Sequence, residues 1–274
     1  MDRRTFLKTF SFFLLAQGLP ATRIARAFDP PIPPIINPTG VALTKHPQPI
    51  STNDILLPEC DWPAFQTALN RFSRIQATVG FGNFCLLGFD KSLWVARNYA
   101  KVGAFTHQEI EFIDKLFHTD AGIYGFLGEK TFHDISDIIA ASKIQKLPGT
   151  GNYLFKGISQ KFYHKISHDI GDRVVLTAGI RGMAKQFYLF LRKVKKTGGN
   201  LSLASKAIAP PGYSYHGVGD FDVGQVGFGT ANFTTRFSRT SVYKKMTQLG
   251  YIVFRYPQNN RLGVQFEPWH IQVV

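Results

Sequence analysis

The sequence predicts an α+β fold, with a mainly helical region ahead of an antiparallel sheet with flanking helices. Two patterns lead there. From about residue 55 to residue 149, apolar residues recur at three- and four-residue spacing, the period of a helix face. From Asn152 onward, short strand-like runs mix with amphipathic helical stretches, and the chain closes on an apparent hairpin. Strands and helices in that mixture argue against a doubly wound parallel sheet.

The N-terminus reads as an export signal, residues 1–27. A charged head, Asp2-Arg3-Arg4-Thr5-Phe6-Leu7-Lys8, precedes the apolar run Phe10 to Ala16, and Ala25-Arg26-Ala27 supplies a small-residue cleavage site. The run is shorter than the roughly 20 apolar residues a membrane span needs. Arg3-Arg4 followed by Phe6-Leu7-Lys8 resembles a twin-arginine signal, with Asp2 where Ser or Thr is usual. An ordinary secretory signal with two incidental arginines is the alternative. The expectation is a periplasmic protein with no transmembrane segment in the mature chain.

Residues 28–54 form a proline-rich arm or linker, with Pro30, Pro31, Pro33, Pro34, Pro38, Pro47 and Pro49 and no helical or strand period. The helical region, 55–150, follows. Trp62, Phe65, Leu69 and Phe72 share one helix face. Thr106-His107-Gln108-Glu109 is a capping box, and Ile110, Ile113, Leu116 and Phe117 form the apolar face behind it. Ile135, Ile138 and Ile139 suggest another helix, ended by Pro148-Gly149. His107, His118 and His133 show no metal-ligand spacing.

In region 151–274, Arg173 to Ala178 reads as a strand. Arg181 to Lys196 reads as a helix with Met183, Phe187, Phe190, Leu191 and Val194 inward. Its terminal Lys193, Lys195 and Lys196 suit the helix dipole, and Gly198-Gly199 stop it. Thr240 to Leu249 is a second helix. Tyr251 to Tyr256 and Gly263 to Phe266 are strands joined through Pro257-Gln258-Asn259-Asn260.

Charge limits the partners. The net charge is +14; the segment 1–27 carries five basic residues against Asp2, so its removal leaves +10. An exported basic protein meets anionic polymers, lipid headgroups or sugars. Export and the scatter of most basic residues along the chain argue against nucleic acid. Cys60 and Cys85 can form one disulfide in an oxidising compartment or remain two buried thiols.

The chemistry-bearing residues sit in the last third. His216 follows Pro210-Pro211-Gly212-Tyr213-Ser214-Tyr215, a rigid approach, and Gly217 and Gly219 leave room beside the ring. Asp220 and Asp222 share one face of a strand start, because side chains alternate along a strand. Either carboxylate can be a ligand, orient one or be solvated. Glu267 and His270 are three apart and would face opposite sides of a straight strand. Pro268 interrupts pairing, so a bend can turn both to one centre, with Trp269 as a wall. Two histidines, a carboxylate and a further glutamate are the inventory of a catalytic zinc site. No G-x-S-x-G nucleophile elbow appears.

Ser214-x-His216-x-x-Gly219, the following Asp and Glu267-x-Trp269-His270 resemble the zinc D-alanyl-D-alanine carboxypeptidases related to the vancomycin-resistance carboxypeptidases. That family shares its fold with the hedgehog signalling domain. Thr177-Ala178-Gly179-Ile180-Arg181, with Gln186 five residues on, resembles the family's Ser-Gly-Tyr-Arg segment. The motifs keep family order over the C-terminal region, and the chain before about Gly149 is not covered. The resemblance implies a hedgehog/DD-peptidase-like sheet and zinc held by His216, Asp222 and His270. It implies Glu267 as general base and then acid, Arg181 gripping the substrate's terminal carboxylate, and Ser214 and Gln186 assisting substrate binding. The family's usual spacing from the first histidine to the aspartate is one residue longer than the five residues between His216 and Asp222. Asp222, followed by Val223, fits the family context better than Asp220. The implied activity is removal of terminal D-alanine from peptidoglycan stem peptides. An L,D-carboxypeptidase, an endopeptidase and a catalytically silent cell-wall peptide binder are the alternatives.

Overall fold

The computed structural model describes Ser51 and residues 53–274. The export signal and most of the proline-rich arm lie outside the described residues. Helix α1 (Trp62–Val79) starts with Pro63 in its first turn, where a missing N–H costs nothing. Short α2 (Phe81–Cys85), α3 (Phe89–Asn98) and α4 (His107–His118) follow.

The capping box ahead of α4 forms as read. Glu109 N donates to Thr106 Oγ1 at 3.2 Å, and Thr106 N donates to Glu109 Oε2 at 2.7 Å. Glu109 is fully buried, and its carboxylate also accepts from Arg71 Nε (2.9 Å) and Nη2 (3.0 Å) on α1. Arg71 Nη1 is satisfied by the carbonyls of Val102 and Gly103. One side chain thus caps α4 and ties it to α1.

The helix expected around Ile135–Ile139 is absent. Asp137 Oδ2 accepts from His133 N and Asp134 N, and Asp134 Oδ1 accepts from Ser136 N. These local side-chain bonds stabilise consecutive turns in place of a helix, and Ile138 is left exposed.

Strands β1 (Ile144–Lys146) and β2 (Tyr153–Phe155) pair as a small antiparallel ladder. Helix α5 (Ile158–Ile170), β3 (Val174–Ala178), α6 (Met183–Lys196) and short α7 (Leu201–Ser205) follow. Strand β4 (Phe221–Gln225), α8 (Ser241–Gln248), β5 (Phe254–Tyr256) and β6 (Glu267–Ile271) complete the order. The main sheet is antiparallel in the order β3-β4-β6-β5. The last strand falls on Glu267–Ile271 instead of 263–266, because it is these residues that pair with both β4 and β5.

Two principal cores form. One combines Phe65, Phe72, Ile113 and Phe117 of α1 and α4 with Phe187, Phe190, Leu191 and Val194 of α6, so helices from both sides of residue 150 share it. The other lies under the main sheet, with Ile166, Leu176, Phe221, Val223 and Ile271. Among the described residues, no helix is long and apolar enough to cross a membrane.

Candidate functional site

The ladder between β4 and β6 brings two distant motifs together. Asp222 and His270 are direct cross-strand partners, as are Phe221 and Ile271. Residues opposite each other share a face. Phe221 and Ile271 therefore point into the core, while Asp222 and His270 stand on the other side. Asp220 shares their face and contacts His270 from there.

His216 comes from a tight turn, Tyr215–Gly217, just ahead of β4. Its Nδ1 lies 2.7 Å from the carbonyl oxygen of Gly179. A carbonyl only accepts, so Nδ1 carries the proton and Nε2 presents a lone pair. Gly179 follows β3 and packs so tightly that a Cβ there would collide with the carbonyl oxygen of Tyr153. The segment Glu129–Phe132 braces the same turn. Tyr215 Oη accepts from Glu129 N, Thr131 Oγ1 donates to the carbonyls of Gly212 and Ser214, and Phe132 fills the space a side chain on Gly217 would need.

His216 Nε2 and Asp222 Oδ1 are 3.2 Å apart, yet both are buried without a hydrogen-bond partner. Burial, with Arg181 nearby, lowers the His216 pKa to about 4, so the ring is neutral at neutral pH. Asp222 is an anion. Burial would raise its pKa, but His216, Arg181 and His270 together hold it below the usual carboxylate range. A lone pair and a carboxylate oxygen aimed at one place repel unless a cation stands between them.

His270 completes the cluster. Its Nδ1 is 3.5 Å from Asp222 Oδ1 and 3.5 Å from Glu267 Oε2. Burial would lower its pKa, but Asp220, Glu267 and Asp222 outweigh that and raise it to about 9. One ligand atom each from His216, Asp222 and His270 lie within 4.8 Å of one another, a set that could hold a metal ion. Asp220 sits at the other edge of the ring, its Oδ2 3.1 Å from His270 Nε2.

Glu267 reaches the cluster through a bulge. Phe254 pairs with Ile271 and Tyr256 with Glu267, so β6 uses four residues where β5 uses two. The irregularity contains Pro268 and re-aims the strand, as the bend read from the sequence requires. Burial is the main cause that raises the Glu267 pKa above the usual value. Trp269 is not a wall of the site. It alternates to the core side with Ile271 and meets Phe233 edge-on.

Arg181 Nη2 donates to Asp222 Oδ2 at 2.6 Å. One carboxylate oxygen is thus spent on the guanidinium, and the other faces the cluster. Gln186 is buried, donating from Nε2 to the Arg181 carbonyl and accepting at Oε1 from Gly212 N. It links the Arg181 segment to the approach to His216. Ser214 is buried one residue before that turn. No disulfide joins exposed Cys60 to buried Cys85. Sequence reasoning missed Arg255, whose Nε is 2.8 Å from Asp220 Oδ2, and Tyr256, whose ring centroid is 4.9 Å from that of His270. A lone arginine in the apolar run Tyr251–Tyr256 was the available signal for the first.

Residues 159–274 match the family model VanY, D-alanyl-D-alanine carboxypeptidase. Among solved structures, the vancomycin-resistance D,D-dipeptidase VanXYg, bound to a D-Ala-D-Ala phosphinate analogue, is 21% identical, with a TM-score of 0.40. The match covers 44% of this chain and 51% of that one, so the chain spans about half that protein's length. The D,D-pentapeptidase VanY from a VanB-type resistance cassette, in complex with Zn(II), is 26% identical over 48% of this chain and 78% of that one, with a TM-score of 0.37. The LD-carboxypeptidase LdcB is 21% identical over 54% and 66%, also with a TM-score of 0.37. No curated protein sequence is detectably similar to the chain. The residues matched by the VanY D-alanyl-D-alanine carboxypeptidase model, 159–274, carry every member of the His/Asp cluster, so the likeness to that family of peptidases takes in the whole candidate site.

Proposed function

We propose that this protein is a zinc-dependent carboxypeptidase that releases terminal D-alanine from peptidoglycan stem peptides. It would act in the periplasm after export by the twin-arginine route. The observation that carries the reading is the pair of unpartnered, buried acceptors, His216 Nε2 and Asp222 Oδ1, with His270 beside them. Two imidazoles and a carboxylate are a fitting donor set for zinc, and three protein ligands are what catalytic zinc usually takes.

His216 through Nε2, His270 through Nδ1 and Asp222 through Oδ1 would hold the ion. Zinc, when bound, supplies Lewis acidity that activates water and polarises the scissile carbonyl. Glu267 Oε2 lies 3.5 Å from His270 Nδ1. From there its carboxylate takes the proton of the attacking water and returns it to the leaving amine. Burial suits that role, since a raised pKa makes it a stronger base than an exposed glutamate. Arg181 commits one N–H to Asp222. A guanidinium has five such donors, and the remaining ones grip the free carboxylate of the substrate. That preference favours removal of one terminal residue over internal cleavage. Gln186 holds the Arg181 backbone, and Ser214 sets the entry to the His216 turn.

The test is mass spectrometry of defined muropeptides incubated with mature protein, with and without chelator. Loss of one alanine from the pentapeptide, abolished by chelator and restored by zinc, is the expected result. Loss from the tetrapeptide alone would make the enzyme L,D-specific. No cleavage of either by zinc-loaded protein would overturn the carboxypeptidase reading in favour of a different cell-wall bond or a binding protein.

A further inference from the structure

The Asp220 carboxylate is buried and surrounded entirely by donors. Oδ2 accepts from Arg255 Nε at 2.8 Å, and Oδ1 accepts from Arg255 Nη2 at 3.1 Å and Val273 N at 2.8 Å. Val274 N adds a longer contact to Oδ1 at 3.4 Å. The remaining neighbour is His270, whose Nε2 is 3.1 Å from Oδ2. A carboxylate in this setting can only accept, so Nε2 carries the proton. In the neutral ring that leaves the lone pair on Nδ1, the atom that faces Asp222 and Glu267.

Arg255 is held in turn. Its guanidinium lies over the Tyr215 ring at 4.0 Å from the centroid and donates to the carbonyl oxygen of Val274. Tyr215 immediately precedes His216. The Asp220–Arg255 pair therefore connects the ring of one candidate ligand to the turn that carries the other.

Resting on the reading of His270 as a metal ligand, we infer that Asp220 and Arg255 are positioning residues: Asp220 fixes the His270 proton on Nε2 so that Nδ1 faces the cation, and Arg255 fixes Asp220. Partners of this kind orient a ligand histidine and raise its basicity, and losing one typically costs roughly 10–100-fold in metal affinity. Asparagine cannot replace Asp220, because its NH2 group would have to face one of these donors.

The experiment measures zinc affinity by chelator competition, with the Co(II) electronic spectrum as a readout of coordination, in the wild type, Asp220→Asn and Arg255→Gln. Thermal unfolding of the metal-free proteins reports folding separately. The expected result is a roughly 10–100-fold weaker zinc affinity for folded Asp220→Asn, a smaller loss for Arg255→Gln, and altered Co(II) spectra for both. Wild-type zinc affinity and spectrum in Asp220→Asn would overturn the inference and leave the zinc reading standing. A wild type that holds no zinc would overturn both. Nitrogen-15 histidine spectra of the zinc-loaded wild type decide the matter even if Asp220→Asn does not fold. Metal-bound Nδ1 with a slowly exchanging Nε2–H supports the assignment, and metal on Nε2 refutes it.

Discussion

His216 Nε2 and Asp222 Oδ1 face each other at 3.2 Å without forming a hydrogen bond. The Gly179 carbonyl takes the only proton of the neutral ring, so nothing among the described residues satisfies both atoms. A bound cation removes that conflict. His216→Ala and Asp222→Ala are each expected to lose zinc during dialysis, where the wild type keeps about one ion per chain. Metal content by mass spectrometry checks this, and stoichiometric zinc in either variant removes that residue from the ligand set.

Glu267 lies beside the cluster but does not belong to the donor set. Glu267→Ala should keep its zinc and lose turnover by roughly 10²–10⁴-fold, the usual worth of a positioned proton acceptor. Parallel assays of zinc content and muropeptide hydrolysis separate the two effects. Full activity in this variant would reassign the base.

Zinc binding should depend on pH through His270. Its pKa is raised to about 9, so below that pH a cation must displace a proton from the ring. His216, lowered to about 4, is already neutral and adds no such cost. Apparent affinity should therefore climb roughly tenfold per pH unit from about pH 7 and level off above about pH 9. Competition titrations across that range measure the slope, and a flat profile would contradict the charge assigned to His270.

Arg181 serves Asp222 in the structure and, in the proposed mechanism, the substrate as well. A hydrogen bond to a charged group is worth about 1.5–3 kcal/mol. Arg181→Ala should thus lower kcat/KM at least tenfold, on the order of that energy, for peptides with a free C-terminus, and much less for amidated ones. Equal losses on both substrates would confine Arg181 to holding Asp222.

In the helical region, Glu109 supports fold stability. Removing one partner of a buried pair leaves the other charge uncompensated, at a cost of about 3–5 kcal/mol. Glu109→Ala strands buried Arg71 and also breaks the cap of α4. Denaturant unfolding should show a loss of about that size, and a change under ~1 kcal/mol would mean that Arg71 finds water or another acceptor.

The legible parts of the fold were those with local causes. The helix of Trp62, Phe65, Leu69 and Phe72 declares itself by period, and α4 by its capping box. The run Ile135–Ile139 misled because the competing bonds from Asp134 and Asp137 do not show in an apolar spacing. Trp269 misled because its facing depends on how β6 pairs, a contact with residues nearly fifty positions away.

The candidate side chains could be picked out from the sequence alone. His216, Glu267, His270 and the aspartate pair Asp220 and Asp222 stood out by residue type and spacing, because metal and proton chemistry belongs to the side chain, while Arg181 and the preference for Asp222 came from the family resemblance. How their atoms are arranged depended on the packing of the sheet. Cross-strand register put Asp222 opposite His270, a bulge at Pro268 turned Glu267 inward, and the Gly179 carbonyl chose the His216 tautomer. It also separated the two aspartates, placing Asp222 at Nδ1 of His270 and Asp220 at Nε2. Those choices rest on distances of a few ångströms between segments far apart in the chain, which only the packed sheet sets.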